Sequence, residues 1–411
     1  MPNKGSSRKH ISAPELCTGC ALCANVCPKN AISMVWSPDG FSIPSVNEAD
    51  CINCGLCIKS CIALELEPGP SASPEEMRAY GAWHRDNNIH EKSSSGGVFS
   101  ALSTEIIREG GVVFGVVWKN SSTAEFRKAT TAEELAAMRG SKYTQALPGL
   151  IYREVKRELS TGHRVLFAGT PCQVHALKQY LRKDYPALLT LDTLCHGVPS
   201  HLILEKHIAE AESRTGQQID HVDFRDKRAD WNSYAVTNHY SNGQVETTPK
   251  EESAYMQLFL ADQALNKSCY TCKYAKIPRQ GDITIGDYWG VSPIEHPQWP
   301  IQKGISAVLA NTQKGRDALE NTSLLNLHKE NFLSMYRWQK HPYISTSTRR
   351  DHKRKQCLTM LRGEASITDC AERYGHYFCR GIICLNRKGV IFRFLKVVKN
   401  FAKAIRHKIR H

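Results

Sequence analysis

Two cysteine runs near the start constrain this chain more than any other feature. Cys17-x2-Cys20-x2-Cys23-x3-Cys27-Pro28 is followed by Cys51-x2-Cys54-x2-Cys57-x3-Cys61. Three closely spaced thiolates wrap one face of a cubane, and the longer last spacing swings the fourth cysteine away. In paired sites of this spacing the fourth cysteine ligates the other cluster. That rule predicts one [4Fe–4S] site from Cys17, Cys20, Cys23 and Cys61, and a second from Cys51, Cys54, Cys57 and Cys27. Structural zinc asks for two separated pairs of ligands, which two runs of four do not supply. Ile62 stands where the second run would carry proline, a change to the turn and not to the ligation. Two clusters this close make a wire for single electrons, and the rest of the chain should supply something at one end of it.

Composition narrows the setting. Sixteen cysteines in 411 residues fall below the roughly 8–10% that marks a disulfide scaffold. No stretch approaches about 18 consecutive apolar residues, and the start lacks the apolar core of a signal peptide. A cytoplasmic, reducing location is expected, where clustered cysteines mean metal or redox chemistry. The net charge of +14 is localised: residues 387–411 hold nine Lys or Arg and no acid, and residues 340–356 hold six basic residues against Asp351. The remainder is neutral, which excludes a uniformly basic nucleic-acid surface.

Along the chain, residues 1–66 are short, cysteine-dense and turn-rich, and read as an α+β two-cluster domain. A linker is expected over 67–90, where Pro68-Gly69-Pro70-Ser71-Ala72-Ser73-Pro74 discourages regular structure. Over 91–338, apolar runs at 111–118, 164–168 and 188–192 read as buried strands. Segments 151–159 and 174–181 carry helical periodicity. This alternation predicts an α/β sheet, largely parallel at its centre. Asn242-Gly243 adds a hairpin, so part of the sheet is expected to be antiparallel. Residues 339–411 form a basic C-terminal extension.

The middle domain holds a second group of cysteines. Cys172, in Gly169-Thr170-Pro171-Cys172-Gln173, follows a strand and opens a helix, where amides and the helix dipole favour a thiolate. Cys195, in Cys195-His196-Gly197-Val198-Pro199, repeats the arrangement after the next strand. Both would sit at the carboxyl edge of a parallel sheet, where such sheets bind ligands. Cys269-x2-Cys272 completes four cysteines from three loops. The residues alone fit a third [4Fe–4S] cluster, a zinc site or separate reduced thiols.

Five segments in order carry a resemblance: Ser93-Ser94-Ser95-Gly96-Gly97-Val98-Phe99, Arg139-Gly140-Ser141-Lys142-Tyr143, Gly169 to Gln173, Cys195 to Pro199, and Gly281-Asp282-Ile283-Thr284-Ile285-Gly286-Asp287-Tyr288-Trp289-Gly290. Over about residues 75–335 the chain resembles the coenzyme F420 hydrogenase/dehydrogenase beta-subunit family, in which a two-cluster ferredoxin-like front end is a common attachment. The resemblance implies a mixed-sheet flavin and iron–sulfur domain holding FAD, with Cys172, Cys195, Cys269 and Cys272 as ligands of a third cluster. It further implies reduction or oxidation of coenzyme F420, a deazaflavin, by hydride transfer. Relatives act on other acceptors.

Under that resemblance Ser95, Gly96 and Gly97 would offer backbone N–H groups to the FAD pyrophosphate, or simply cap a helix. Lys142 and Tyr143 would contact phosphate or ring. Thr170 and Gln173 would hydrogen-bond the isoalloxazine, and Asp287 and Trp289 would border it. His196 is the candidate catalytic residue as a proton carrier, or else a structural histidine. The expected function is electron passage through the clusters to FAD and on to a two-electron acceptor such as coenzyme F420. Two other readings stand beside it: a non-catalytic electron-transfer subunit of a larger complex, and a redox enzyme of surface-polysaccharide synthesis using no deazaflavin. Either way a redox partner protein is expected. No nickel–iron signature is present, so hydrogen activation would fall to another chain.

In the tail, Ile391, Phe394, Leu395, Val398, Phe401, Ala402, Ile405 and Ile409 fall on one helical stripe, with basic residues largely off it. Such a basic amphipathic helix suits the anionic inner face of a membrane or an acidic partner. Cys357, Cys370, Cys379 and Cys384 have no cluster-like spacing and read as buried reduced thiols.

Overall fold

The computed structural model describes residues 11–65, 77–228, 230–338 and 353–375. Residues 11–65 form a small module. Its strands β1 (Ile32–Trp36) and β2 (Ser42–Val46) pair antiparallel, and helices Leu22–Val26 and Leu56–Lys59 carry Cys23 and Cys57. Each helix starts after a left-handed residue, Ala21 (φ 56°) and Gly55 (φ 71°). That reversal lets two-residue spacings turn three sulfurs toward one point.

The larger body contributes β3 (Arg78–His84), β4 (Val112–Trp118), β5 (Ala124–Ala129), β6 (Val165–Gly169) and β7 (Leu188–Thr193). After them come β8 (Ile219–Asp226), β9 (Ala235–Tyr240), β10 (Val245–Pro249), β11 (Ile283–Asp287), β12 (Ser306–Ala310) and β13 (Leu325–Glu330). Eight of these form one mixed sheet in the order β13-β3-β12-β11-β7-β6-β4-β5. Its centre, β11-β7-β6-β4, is parallel, and β12, β3, β13 and β5 join antiparallel. Helices Val98–Arg108, Ala132–Met138 and Gln313–Asn321 contribute to the core on one face. Ile151–Ser160 and Pro171–Leu181 build the core on the other. The apolar runs read as strands are β4, β6 and β7, buried as parallel strands covered on both faces are.

Three expectations need correction. The Asn242-Gly243 hairpin forms, but β9 and β10 belong to a separate three-stranded sheet with β8. Turn chemistry is local, whereas sheet membership depends on distant partners. The linker is shorter than 67–90, because β3 lies inside that range and bonds both β12 and β13. Its sequence Arg-Ala-Tyr-Gly-Ala-Trp-His lacks β-branched residues, so propensity hides it. The glycine is required: a Cβ on Gly81 would collide with the Trp299 ring. Nor is all of 339–411 an extension. Helices Arg354–Arg362 and Ile367–Tyr374 bury Cys357, Leu361, Ile367 and Cys370 in the core shared with helices His201–Thr215 and Ala254–Leu260. The amphipathic stripe of 389–411, with Cys379 and Cys384, lies outside the described residues. Among the described residues no helix is long and apolar enough to cross a membrane.

The chain leaves the sheet after β7 and returns only at β11, and a buried polar network fixes that return. Asp192 Oδ2 accepts from the N–H groups of Gln280 (3.0 Å) and Gly281 (2.9 Å). Asp282 Oδ2 accepts from the Thr190 N–H (2.8 Å) and hydroxyl (2.7 Å). The Arg279 guanidinium donates to the carbonyls of Tyr274 (2.9 Å) and Thr193 (3.0 Å), and its Nε lies 3.8 Å from Asp192 Oδ1. Both side chains of that pair are at most 1% exposed. Removing one partner of a buried pair leaves an uncompensated charge, at a cost of about 3–5 kcal/mol. Asp192→Asn and Arg279→Gln are each expected to lose that much in denaturant unfolding. The double variant should lose clearly less than their sum, and strict additivity would show the pair to be uncoupled.

Candidate redox site at the carboxyl edge of the sheet

The module gathers its cysteines as the spacing rule groups them for the first set. Burial raises the Cys17, Cys20 and Cys23 thiols, Cys20 to about 12, and Cys61 is close enough to add to all three. Burial likewise raises Cys57, with Cys54 and Cys51 adding. Cys27 packs in the same small core as Cys57, and its sulfur accepts the Ala31 N–H at 3.3 Å.

In the body, three loops converge. Cys172 is the second residue of helix Pro171–Leu181, directly after β6, and Cys195 follows β7 by two residues. Cys269 lies in the short helix Lys267–Tyr270 and Cys272 just beyond it. All four line one cavity. Burial raises the Cys172 thiol well above its usual value, with Cys195, Cys272 and Cys269 adding. The Thr170 hydroxyl lies 3.1 Å from the Cys172 sulfur, and the Val198 N–H donates to the Cys269 sulfur at 3.4 Å. Four cysteines from three loops form an all-sulfur donor set of the kind that holds a cubane.

The module and the quartet adjoin. Leu16, Thr18 and Ile62 line the same cavity as the four body cysteines. Buried Tyr152 and Tyr274 each sit close to both Cys20 and Cys172. The contact is built mainly from body side chains donating to module carbonyls. Tyr152 donates to Cys20 O (2.9 Å) and Asn266 to Cys17 O (3.1 Å). Arg153 donates to the carbonyls of Asn25 (2.8 Å), Ala24 (3.0 Å) and Cys27 (2.8 Å), and to Asn30 Oδ1 (2.7 Å).

The residues assigned to FAD fall in two places. Thr170 and Gln173 bond each other at the quartet, the Gln173 side chain accepting both the Thr170 N–H and hydroxyl at 2.9 Å. The others gather between the large sheet and the small one. There Ser141 N–H donates to Ser94 Oγ (2.8 Å), joining the 93–97 turn to the 139–143 loop. Several groups expected to meet a ligand have protein partners. The Ser95 hydroxyl donates to Ile305 O (3.0 Å), and the Gly96 N–H to Ser306 Oγ (2.9 Å). A Cβ on Gly96 would strike Ala82 O, so its glycine serves packing on β3. Gly97, at φ 85°, caps helix Val98–Arg108. The Lys142 ammonium, pushed down to about 8 by burial, donates to Arg139 O (2.9 Å) and Gly140 O (3.2 Å) at the end of helix Ala132–Met138. Tyr143 stacks on Phe259 with centroids 4.9 Å apart.

Asp287 ends β11 and accepts from Arg225 (2.9 Å) and from Trp231 Nε1 (2.9 Å); Trp231 stacks on Trp289 at 4.8 Å. His196 links the two places. Its Nε2 is 2.7 Å from Asp262 Oδ1, and its ring lies 4.8 Å from Phe259.

Two buried cations escaped the sequence reading. Arg225 sits over the rings of Tyr234 (3.9 Å) and Trp289 (5.3 Å). Burial pulls its pKa down, but Asp287, Tyr143 and Tyr234 more than offset this and hold it charged. Its Nε has no partner among the described residues. Lys227, pushed down to about 7 by burial, donates to Ser95 O at 2.6 Å. The only signal for them was a charged run, Arg225-Asp226-Lys227-Arg228, which reads as a solvated face.

Known proteins place the chain. The model of the coenzyme F420 hydrogenase/dehydrogenase beta subunit N-terminal part matches residues 79–151, and that of its C terminus matches 162–330. A 4Fe-4S dicluster domain matches residues 16–63. A subunit in the F420-reducing [NiFe] hydrogenase complex from Methanosarcina barkeri is 18% identical, covering 74% of this chain and 93% of that one, with a TM-score of 0.44. No curated protein sequence matches. The two beta-subunit matches together account for more than half of the 411 residues, so the chain belongs to the coenzyme F420 hydrogenase/dehydrogenase beta-subunit family, with a 4Fe-4S dicluster domain at its N-terminal end.

Proposed function

We propose that this chain is an iron–sulfur flavoprotein oxidoreductase. It would pass single electrons through [4Fe–4S] clusters at its three cysteine sets to FAD, and on to a two-electron acceptor such as coenzyme F420. The observation that carries this reading is the shared wall. Residues Leu16, Thr18 and Ile62, beside the first cysteine set, also line the cavity of the body quartet. Bound FAD would supply the exchange between single electrons and a hydride pair, which clusters alone do not make.

The chain's own residues have separable parts in this scheme. Tyr152 and Tyr274 fill the space between the first set and the quartet and keep water out. Arg279, lining the quartet cavity, places a buried positive charge beside thiolates. Arg225 and Lys227 offer buried cations where a pyrophosphate or an electron-rich ring would lie. Lys227, near neutrality in its proton affinity, and His196 beside Asp262 are the groups suited to hold a proton there. A beta subunit implies partner chains, and the basic stretch of 389–411 would meet an acidic partner surface or an anionic membrane. A second reading, an electron-transfer subunit without flavin, is favoured by one observation: Ser95, Gly96 and Lys142 have protein partners where a ligand was expected.

Anaerobic reconstitution is expected to give about twelve irons per chain, four for each of three cubanes, and one FAD. Cys172→Ser combined with Cys195→Ser should lower iron to about eight. About four irons and no flavin would overturn the proposal, and twelve irons without flavin would favour the second reading. The double variant Arg225→Met/Lys227→Met should weaken flavin binding at least tenfold, as the loss of even one charge-assisted bond of about 1.5–3 kcal/mol implies, while iron stays constant. Unchanged flavin content would remove both residues from the site.

A further inference from the structure

The three cysteine sets meet solvent differently. Of their twelve cysteines only Cys54 is exposed, with Cys51 and Cys57 beside it half-buried. The first set is walled in by the body. Leu22 and Ile62 are buried in the core of helices Ile151–Ser160 and Pro171–Leu181, and Cys20, Cys172 and Cys272 pack against that core. Cys27 and Cys57 pack instead in a small core built of module residues alone. Among the described residues, the body's hydrogen bonds to the module end on residues from 17 to 42 and from 63 to 65. The loop that carries Cys51, Cys54 and Cys57 stands outside that contact.

The side chains of this loop make a face of a particular kind. Ile52, next to Cys51, is 57% exposed. Glu48 and Asp50 on one side of it and Asn53 on the other are exposed as well. An apolar centre with a polar rim is the anatomy of a protein interface. Lys29 and Lys59, two residues beyond Cys27 and Cys57, balance Glu48 and Asp50 in formal charge. The cysteines therefore decide the sign of the face. Four thiolates carry more negative charge than the cubane core they hold carries positive, in either redox state, so the filled site is net negative.

We propose that residues 48–55, around the second cysteine set, are the docking face for a one-electron carrier protein that presents basic side chains around its own redox group. This rests on the proposed electron route and fixes which end of it meets the partner. A cubane exchanges single electrons, and transfer weakens steeply with distance, so the partner's redox group must approach the set that is open to solvent. A hydride partner has no such use for a cubane and needs the flavin. Each encounter moves one electron, oxidising one redox group and reducing the other with no bond made or broken. Transient redox encounters use small faces, below about 1,200 Å², which suits a single exposed loop. Opposite charge on the carrier would steer it there.

The test uses the full chain with its clusters filled, under anaerobic conditions. Cytochrome c is the probe because it is a basic one-electron carrier. Carbodiimide joins carboxylates to lysines in contact, and peptide mapping should find Glu48 or Asp50 joined to cytochrome c. After reduction by dithionite and removal of the excess, the chain should reduce cytochrome c at a rate that falls steeply with salt. Glu48→Lys/Asp50→Lys should lower that rate about tenfold at low salt and abolish the cross-link. Glu133→Lys/Glu372→Lys, an equal charge change at exposed positions of the body, should leave both near their parent values. Parent-like iron content shows that each variant has folded around its clusters. Cross-links confined to other carboxylates, a rate insensitive to salt, or an unchanged rate in Glu48→Lys/Asp50→Lys would each overturn the docking face while the clusters stand. A parent chain holding too little iron for the module's two cubanes would overturn the electron route itself.

Discussion

The body holds the module by its backbone carbonyls. A module of some fifty residues turning around two cysteine runs has little sheet and only short helices, so many of its peptide groups lack internal partners. Buried carbonyls left that way cost about 1–3 kcal/mol each. The body answers with Arg153, Tyr152, Asn266 and Lys273, whose acceptors include the carbonyls of Cys17, Cys20 and Cys27. Those residues carry the sulfurs, so the bonds that dock the module also set where its cysteines stand relative to the quartet. In the proposed electron route, every later step would inherit that spacing.

Charge follows the same plan. Thiolate-rich sites concentrate negative charge, and the body places Arg279 at the quartet and Arg225 with Lys227 near Asp287, all buried. Each is tied to a carboxylate or to backbone carbonyls, as a buried cation must be. A chain whose body is neutral in sum therefore keeps strongly unequal charges inside it.

Much of this was legible in the sequence. Cysteine spacing speaks for itself because ligation depends on residues a few positions apart, and the parallel core announced itself as apolar runs. The convergence of Cys172, Cys195, Cys269 and Cys272 was legible because two of them follow strands whose carboxyl ends must coincide. What failed was nonlocal. β3 joins the sheet through partners more than 200 residues away, and helices Arg354–Arg362 and Ile367–Tyr374 were obscured by basic neighbours. Arg225 and Lys227 looked solvated because a charged run carries no mark of the tyrosine, tryptophan and aspartate that the fold brings to it. The turn at Ser95-Gly96-Gly97 was the opposite case: glycine suggested a ligand, whereas Gly96 is occupied with the approach of β3.

Tyr152 and Arg153 are consecutive on one helix, so their side chains point about 100° apart. The phenol enters the space between two cysteine sets, and the guanidinium grips the end of helix Leu22–Val26. The Tyr152 hydroxyl also donates to Cys20 O, so both neighbours hold the module. One turn of a single helix therefore serves both to fasten the module and to separate its first cysteine set from the quartet.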